Sequence, residues 1–503
     1  MAKDLGITPR EENYAEWYTD IVKRAELAEN SVVRGCMVVK PAGYAVWELM
    51  QKALDGMFKE TGHANAAFPM LIPKSFFEKE AEHVDGFAKE CAVVTHHRLR
   101  AGKDGKGLEV DPDAKLEEPY IIRPTSETII WNSYKGWIQS WRDLPILLNQ
   151  WCSVMRWELR PRLFLRTSEF FWQEGHTAHA TQEEAEAEAK LILGIYTRFL
   201  TDYLAIPIVA GVKSDNEKFA GADHTYTVEA MTQDRRAIQA GTSHNLGQNF
   251  AKAFDVKYQS KEGSLEYVWA TSWGASSRLI GTVIMAHSDD RGFVCPPRVA
   301  PNQVVIVPIG RGEDLERVFE VADRLADTLR QVHWNGEPLR VFVDRRDHLS
   351  PGFKFNDWEL KGACVRLEIG PRDIDAEQCV LARRDDSDKS PVSFHHLEDA
   401  VTTSLSEMQA GLLASALQFR EANTVRVDDW EEFQSHFAGE GGGGFVLAHW
   451  DGTTETEKKI TEATKATIRC IPIQPLDPTD AQPGKCVMTG APSRCRVVFA
   501  KAY

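Results

Sequence analysis

The segment from Arg156 to His176 constrains this chain more than any other. It reads Arg156-Trp157-Glu158, a turn, and then Leu163-Phe164-Leu165-Arg166-Thr167-Ser168-Glu169-Phe170-Phe171-Trp172-Gln173-Glu174-Gly175-His176. Successive side chains of a strand alternate between its two faces. Arg156 and Glu158 therefore share a face, as do Phe170, Trp172, Glu174 and His176. An antiparallel hairpin gathers a guanidinium, two carboxylates, an imidazole and two aromatic rings on one surface. A purely structural strand would fill that surface with apolar side chains, because charges are costly to bury without partners or ligands. The pattern predicts a binding site carried on an antiparallel sheet.

A chain of 503 residues is too long for a single core and predicts several domains. Its 43% hydrophobic and 26% charged content is that of a soluble globular protein. No run reaches the length of a membrane span, and the acidic start from Lys3-Asp4 to Glu11-Glu12 is unlike a signal peptide, so a cytoplasmic protein is expected. Nine scattered cysteines, an odd number, argue against a disulfide framework. The net charge of -15 matters for partners: binding a polyanion then requires local basic patches.

Three parts are expected: residues 1–300, 301–403 and 404–503. The first alternates helices with strands. Its helix from Thr181 to Tyr203 opens with Thr181 and Glu184 at capping-box spacing and carries Leu191, Ile195, Phe199 and Tyr203 at helical intervals. The second opens with the apolar run Gln303 to Val307, followed by a helix near Asp314–Val332 and a strand near Leu339–Val343. A short helix with Ser350 as N-cap, Pro351 at its first position and Gly362 at its end leads to strands near Val365 and Val380. The third begins with a helical run near Ser404 and continues past Gly441–Gly444, read as a flexible turn, to Tyr503.

The Arg156–His176 segment resembles motif 2 of class II aminoacyl-tRNA synthetases, in the form seen in prolyl-tRNA synthetases. Gly35-Cys36-Met37-Val38-Val39-Lys40-Pro41 resembles motif 1, and Gly274-Ala275-Ser276-Ser277-Arg278-Leu279-Ile280-Gly281 resembles motif 3. Arg123-Pro124-Thr125-Ser126-Glu127-Thr128 is similar to the proline-enzyme loop. The fold class this implies is mixed α and β: an antiparallel-sheet catalytic domain, an α/β anticodon-binding domain and a small C-terminal α/β module. The implied activity is ATP-dependent activation of L-proline and its transfer to tRNA(Pro), with ATP and Mg2+ as cofactors and a homodimer built on motif 1.

Activation places a carboxylate oxygen in line with the α-phosphate of ATP, and cations hold the charge that grows there. A guanidinium binds phosphate and carboxylate oxygens in a fork, which suits Arg156; by resemblance it touches both proline and ATP. The resemblance sets Arg278 over adenine and the γ-phosphate, Phe170 on the other adenine face and Glu158 at the adenine amino group. Arg166 and Thr167 match further ATP contacts, and Gln239, Thr242 and Ser276 match positions around phosphates and ribose, with Gln239 near the magnesium ion. Proline's secondary ammonium offers two donors, suited to Thr125 and Glu127, and Trp172 suits its ring. Glu174, His176, His244, Ser272 and Gly274 match the rest of that pocket. In the second domain, splayed bases are read by stacking and edge hydrogen bonds. Phe355 supplies the first, and Glu359, Arg366, Arg372 and Asp373 match positions suited to the guanines of a proline anticodon.

Two departures from relatives are visible. Many relatives hold zinc in the C-terminal module with four cysteines, but the matching positions here are Asp451, Thr456, Cys486 and Thr489. Structural zinc needs four nitrogen or sulfur ligands, so none is expected. Between motifs 2 and 3 there is also no room for the editing domain of bacterial-type enzymes, which resembles the archaeal and eukaryotic form, a form also found in some bacteria. Two other classes stay open: an enzyme that activates another small amino acid, which would share Arg156, Glu158 and Arg278 but not the proline-group segments Thr125-Ser126-Glu127 and Trp172–His176, and a synthetase-like tRNA-binding regulator, which is expected to have lost the ATP contacts that stand here.

Overall fold

The computed structural model describes residues 6–78, 90–102, 104, 106–386, 388–439 and 441–503. Lys3 and Asp4 of the acidic start lie outside them. The expected hairpin is present: strand Ile146–Met155 pairs antiparallel with Glu169–His179, setting Trp172 opposite Cys152 and Glu174 opposite Gln150. On its other edge the second strand pairs with Trp269–Ser276, which pairs with Ala237–Gly247, then His224–Met231, then Ile208–Val212, all antiparallel. A bulge shifts the register at Val228/Glu229.

Register gives the sheet two unlike faces. One carries Gln173, Gly175, Trp273 and Ala275 and is covered by helices Pro41–Glu60 and Gln182–Arg198. There Trp273 lies 4.7 Å from Phe58, which in turn lies 6.3 Å from Tyr196, ring centroid to centroid. Gly175 is required here, because a Cβ would fall 2.1 Å from the Trp273 ring. The opposite face carries the polar residues and stays open.

The helix Gln182–Arg198 begins as expected, with the Thr181 hydroxyl accepting from the Glu184 amide at 3.2 Å. Its buried stripe includes Ala185, Ala189, Ile192, Leu193, Ile195 and Tyr196, and Phe199 beyond it is buried too, as expected for Ile195 and Phe199, whereas Leu191 is 42% exposed. The series counted from Leu191 therefore starts off the buried face, and the last turn, Phe199–Tyr203, is π-helical.

In the second part, a five-stranded sheet runs in the order Val341–Val343, Val304–Pro308, Val365–Ile369, Gln378–Arg383, Lys389–Ser393; the first three strands are parallel. The helices are Glu313–Gln331 and Pro351–Leu360, and the Ser350 hydroxyl caps the second by accepting from the Phe353 amide at 3.3 Å. The helical run expected from Ser404 begins earlier. One helix spans Leu397–Ala422, so the expected 403/404 boundary falls inside it. Val401, Leu405 and Met408 on its buried face belong to the same core as Trp273 and Val304.

The C-terminal part is not a separate layer. Its strand Thr467–Pro472 pairs with the edge strand Ile208–Val212, setting Val212 opposite Ile471. Arg496–Ala500, Phe445–His449 and Thr424–Arg426 follow, extending one continuous sheet to 11 strands. Gly441–Gly444, expected as a flexible turn, packs against Arg235, where a Cβ on Gly442 would meet the carbonyl oxygen at 2.2 Å.

Candidate active site

The open face of the sheet bears a cavity of about 290 Å³. Its floor is one strand with small side chains, Ser272, Gly274 and Ser276, flanked in register by His176, Glu174 and Trp172 on one side and by His244 and Thr242 on the other. Small residues in the middle and large ones on both flanks make a trough. Thr125 and Glu127 close one end from the loop that opens helix Glu127–Trp137. Arg123 holds that loop, donating to the carbonyls of Ser153 and Phe68 at 2.9 Å each.

The acidic end is highly organised. Glu174 is 2% exposed and accepts from the Ser126 amide at 3.1 Å, from Gln150 at 3.0 Å, from His176 Nε2 at 3.0 Å and from the Ser126 hydroxyl. Burial alone would raise the pKa of Glu174, but His176, Ser126 and Gln150 together hold it below the ordinary value. For His176, burial opposes the charged form, and the Glu174 hydrogen bond and the Glu127 charge outweigh it, so its pKa is raised. The buried Nδ1 of His176 has no hydrogen-bond partner in the protein. His244 behaves oppositely: burial, then the neighbouring His176, push it down to about 3, and it stands neutral beside the Thr225 hydroxyl at 2.9 Å. Thr125 donates to Glu127. Glu127, Glu174 and His176 are the one group among the described residues whose atoms converge closely enough to hold a cation, but the hydrogen bonds to Glu174 already fill that carboxylate.

Two buried arginines also line the cavity. Arg156 donates from Nε to the Pro124 carbonyl at 3.0 Å, and its guanidinium carbon lies 5.6 Å from the Phe170 ring centroid and 5.3 Å from that of Trp172. Arg278 donates to the Leu165 carbonyl at 3.2 Å, and its amide donates to Ser276 Oγ at 3.3 Å. Burial lowers the pKa of Arg156; burial, then Arg156 and Arg166, bring that of Arg278 down to about 10. Like charges buried side by side are stabilised by an anion placed between them. This is the local basic patch that a chain of net charge -15 needs.

Of the expected residues of this site, Glu158, Arg166 and Thr167 do not line the cavity. The strand ends at Met155, so the two-residue period does not carry through to Glu158. Its carboxylate accepts from the Arg160 amide at 2.7 Å and lies 3.8 Å from Arg166, and Thr167 donates to the Glu169 carbonyl at 2.7 Å. Lys213, Glu217, Phe219 and Thr225 do line the cavity and were not foreseen. Lys213, Glu217 and Phe219 belong to or adjoin the run Lys213-Ser214-Asp215-Asn216-Glu217-Lys218, and Thr225 lies in the strand His224–Met231. The Phe219 ring lies 4.8 Å from that of His244.

For a magnesium ion arriving with a nucleotide, Gln239 offers an amide oxygen, while Glu229 opposite it is taken up by Lys213 and Arg469. Such a wall fits an ion held chiefly by phosphates and water. The four zinc-ligand positions do not fit zinc. Asp451 accepts from Thr456 at 2.7 Å, from Thr489 at 3.0 Å and from the Thr453 hydroxyl at 2.9 Å, closing the cluster with hydrogen bonds around a carboxylate. Tyr503 docks on the catalytic part through its amide, which donates to the Ala237 carbonyl at 3.1 Å, and through its hydroxyl, which donates to Asp234.

In the second domain Arg366 lies 4.8 Å and the Lys389 ammonium 4.9 Å from the Phe355 ring centroid. Glu359, paired with Arg291 at 2.8 Å, lines a cavity of about 170 Å³ together with Arg366. Arg372 and Asp373 do not join them. They sit on the short helix Pro371–Asp375, where Asp373 accepts from the Gly370 amide at 2.8 Å.

Family models match three segments: the tRNA synthetase class II core domain (G, H, P, S and T) at residues 109–287, an anticodon binding domain at 303–404 and the prolyl-tRNA synthetase C-terminal domain at 430–503. The chain is 58% identical to proline--tRNA ligase of Bacteroides fragilis, with 100% of both chains covered, and 56% identical to that of Cytophaga hutchinsonii, with 98% of this chain and 99% of the relative covered. The crystal structure of prolyl-tRNA synthetase from Cryptosporidium parvum complexed with halofuginone and AMPPNP superposes with a TM-score of 0.89 at 36% identity, covering 100% of this chain and 98% of that one. With such identity over essentially the whole of both chains, the chain belongs to the prolyl-tRNA synthetases.

Proposed function

We propose that the cavity binds L-proline at its acidic end and ATP along its buried arginines, and that Arg156 bridges the two. The observation that carries this is the meeting, in one cavity, of the Glu127/Glu174/His176 cluster with the buried arginines Arg156, beside that cluster, and Arg278. Proline's ammonium donates to Thr125 and Glu127, and its ring lies against Trp172. Its carboxylate, already ionised, is held by Arg156 in line with the α-phosphate. The neutral His244 and the small floor residues Ser272 and Gly274 leave room for the ring without repelling its ammonium.

No general base is needed for this step, because the nucleophile carries its charge from the start. Rate comes from positioning and from cations aimed at the oxygens where charge develops. Phe170 and Arg278 take the two faces of adenine, while Gln239, Thr242 and Ser276 face phosphates and ribose. When bound with ATP, magnesium supplies charge neutralisation at the leaving pyrophosphate. Glu158, Arg166 and Thr167, outside the cavity as it stands, are within the same hairpin and close on the base of the nucleotide when it arrives.

Phe355, Glu359 and Arg366 form the anticodon-reading group, with Arg372 and Asp373 contacting a neighbouring part of the tRNA. The segment between the Glu169–His179 and Trp269–Ser276 strands consists of elements the sheet itself uses. This supports an enzyme without an inserted editing domain, like the archaeal and eukaryotic form, although the relatives at 56–58% identity named above are bacterial. Val38, 46% exposed beside Pro41, supports a homodimer through motif 1. No helix among the described residues is long and apolar enough to cross a membrane, in keeping with work on tRNA in the cytoplasm. The C-terminal module holds no zinc in this reading. Proline-dependent ATP–pyrophosphate exchange, run against alanine and other amino acids, tests it: exchange driven equally by another amino acid refutes the assignment of the acidic end.

A further inference from the structure

Glu229 is fully buried in the strand next to the phosphate wall, and two cations reach it from different parts of the chain. Lys213 Nζ donates to it at 2.8 Å from the catalytic part, and Arg469 donates from Nε at 3.1 Å, with its second nitrogen at 3.0 Å, from the C-terminal strand Thr467–Pro472. The Thr227 hydroxyl adds a bond at 2.9 Å. The side chains of Lys213 and Arg469 are themselves only 3% and 9% exposed. One carboxylate facing two cations leaves the triad with an excess positive charge. Lys213 lines the cavity, and register places Thr227 opposite Thr242 and Glu229 opposite Gln239.

We propose that Lys213 is a further phosphate-binding residue for ATP and that Arg469 is the positioning residue that lets it act. A lysine buried against a carboxylate with no other cation is neutralised by it, since such pairs attract strongly away from water. Arg469 takes up the Glu229 charge from behind, and the ammonium of Lys213 keeps attraction to spare for a phosphate oxygen. The C-terminal module is thus part of the catalytic site without touching substrate. It grips the same loop a second time, because the Ser214 hydroxyl donates at 2.7 Å to Glu457, 1% exposed on the module's helix Thr454–Thr464.

The inference rests on reading Gln239 and Thr242 as the phosphate wall. Charge arithmetic separates it from a merely structural role. In the full-length enzyme, Arg469→Met raises KM for ATP in pyrophosphate exchange by about tenfold, the scale of one charged hydrogen bond, and moves KM for proline less than about twofold. Adding Glu229→Gln restores the excess charge and returns KM for ATP to within about threefold of the parent. A double variant as poor as the single one, or KM values for ATP and proline rising together, overturns the proposal. Lys213→Met leaves the Glu229–Arg469 pair in place and stands as the test should Arg469→Met not fold: a rise in KM for ATP under about twofold overturns it. Gln239→Ala separates the two readings. If it leaves KM for ATP unchanged while Lys213→Met raises it, the phosphate wall is wrongly drawn and Lys213 still binds phosphate.

Discussion

Arg156→Ala is the sharpest test of the site, because structure and stability pull in opposite directions there. The guanidinium is buried, and burial outweighs the attraction of Glu127 and Glu174, so that its pKa falls below the ordinary arginine value. In the empty enzyme the charge is therefore held at a cost to folding, and what it gains comes only with an anion between it and Arg278. Loss of one such donor at a developing oxyanion costs about 3–4 kcal/mol of transition-state stabilisation, or about 10²–10³-fold in rate. Exchange should fall on that scale. Thermal unfolding should occur at an unchanged or slightly raised Tm, since removal of a desolvated charge offsets the loss of contacts such as the hydrogen bond to the Pro124 carbonyl. Arg156→Lys keeps the charge but not the fork and should recover only part of the rate. Pyrophosphate exchange and calorimetry on the same preparations decide it: a drop under about threefold together with a lowered Tm would show a structural arginine and refute the reasoning.

Three other outcomes follow. Elemental analysis of chelator-free protein should find no stoichiometric zinc, and chelation should leave Tm unchanged, because a structural zinc contributes folding free energy directly; one zinc per chain would contradict the hydrogen-bonded Asp451 cluster. Burial, opposed only in part by Ser214, pushes Glu457 up to about 7, so the folded chain holds this proton through a range where the unfolded chain has released it. Stability then falls as pH rises from about 4.5 to 7 and stays lower above; Glu457→Gln should stabilise the enzyme by about 1–3 kcal/mol at pH 8 and by much less at pH 5, and an equal effect at both would sink the assignment. Alanine fits a proline pocket with a loss of only about 1–3 kcal/mol per missing group, so alanyl-adenylate should form detectably while preformed alanyl-tRNA is not hydrolysed faster than in an enzyme-free control.

The sequence carried the hairpin and its polar face because strand alternation is strict over Glu169–His179, where each side chain's face is fixed by parity alone. It failed at Glu158, one turn past the last paired residue, because parity has no meaning outside the ladder. Leu191 shows the same limit for helices: a spacing of four is satisfied by more than one stripe, and only packing against Trp273 and Phe58 selects Ala189, Ile192 and Tyr196. The run from Lys213 to Phe219 carries no motif or periodicity that marks a site in the sequence. What brings it into the cavity is the pairing of its flanking strand with a segment more than two hundred residues away, as the Arg469–Glu229 separation of 240 residues records.

That pairing also had a trace in the sequence. Thr227-Val228-Glu229-Ala230-Met231 and Thr467-Ile468-Arg469-Cys470-Ile471 each set a single charge inside an otherwise apolar or neutral strand, and the two charges are opposite. A lone charge in a buried strand must find a partner, and two strands with complementary lone charges satisfy each other. Lys213, two residues past Gly211 and at the end of the edge strand that joins them, then becomes the surplus cation. In a chain with net charge -15, the site of an anionic substrate is marked by where carboxylates fail to outnumber their buried partners. That place is the phosphate wall, where Lys213 and Arg469 share the carboxylate of Glu229 and the buried Arg278 adds a further positive charge. The acidic end a few strands away inverts the balance for an ammonium. Joining the C-terminal strands to the catalytic sheet is what makes the balance positive at that wall, since without Arg469 the Glu229–Lys213 pair would be neutral.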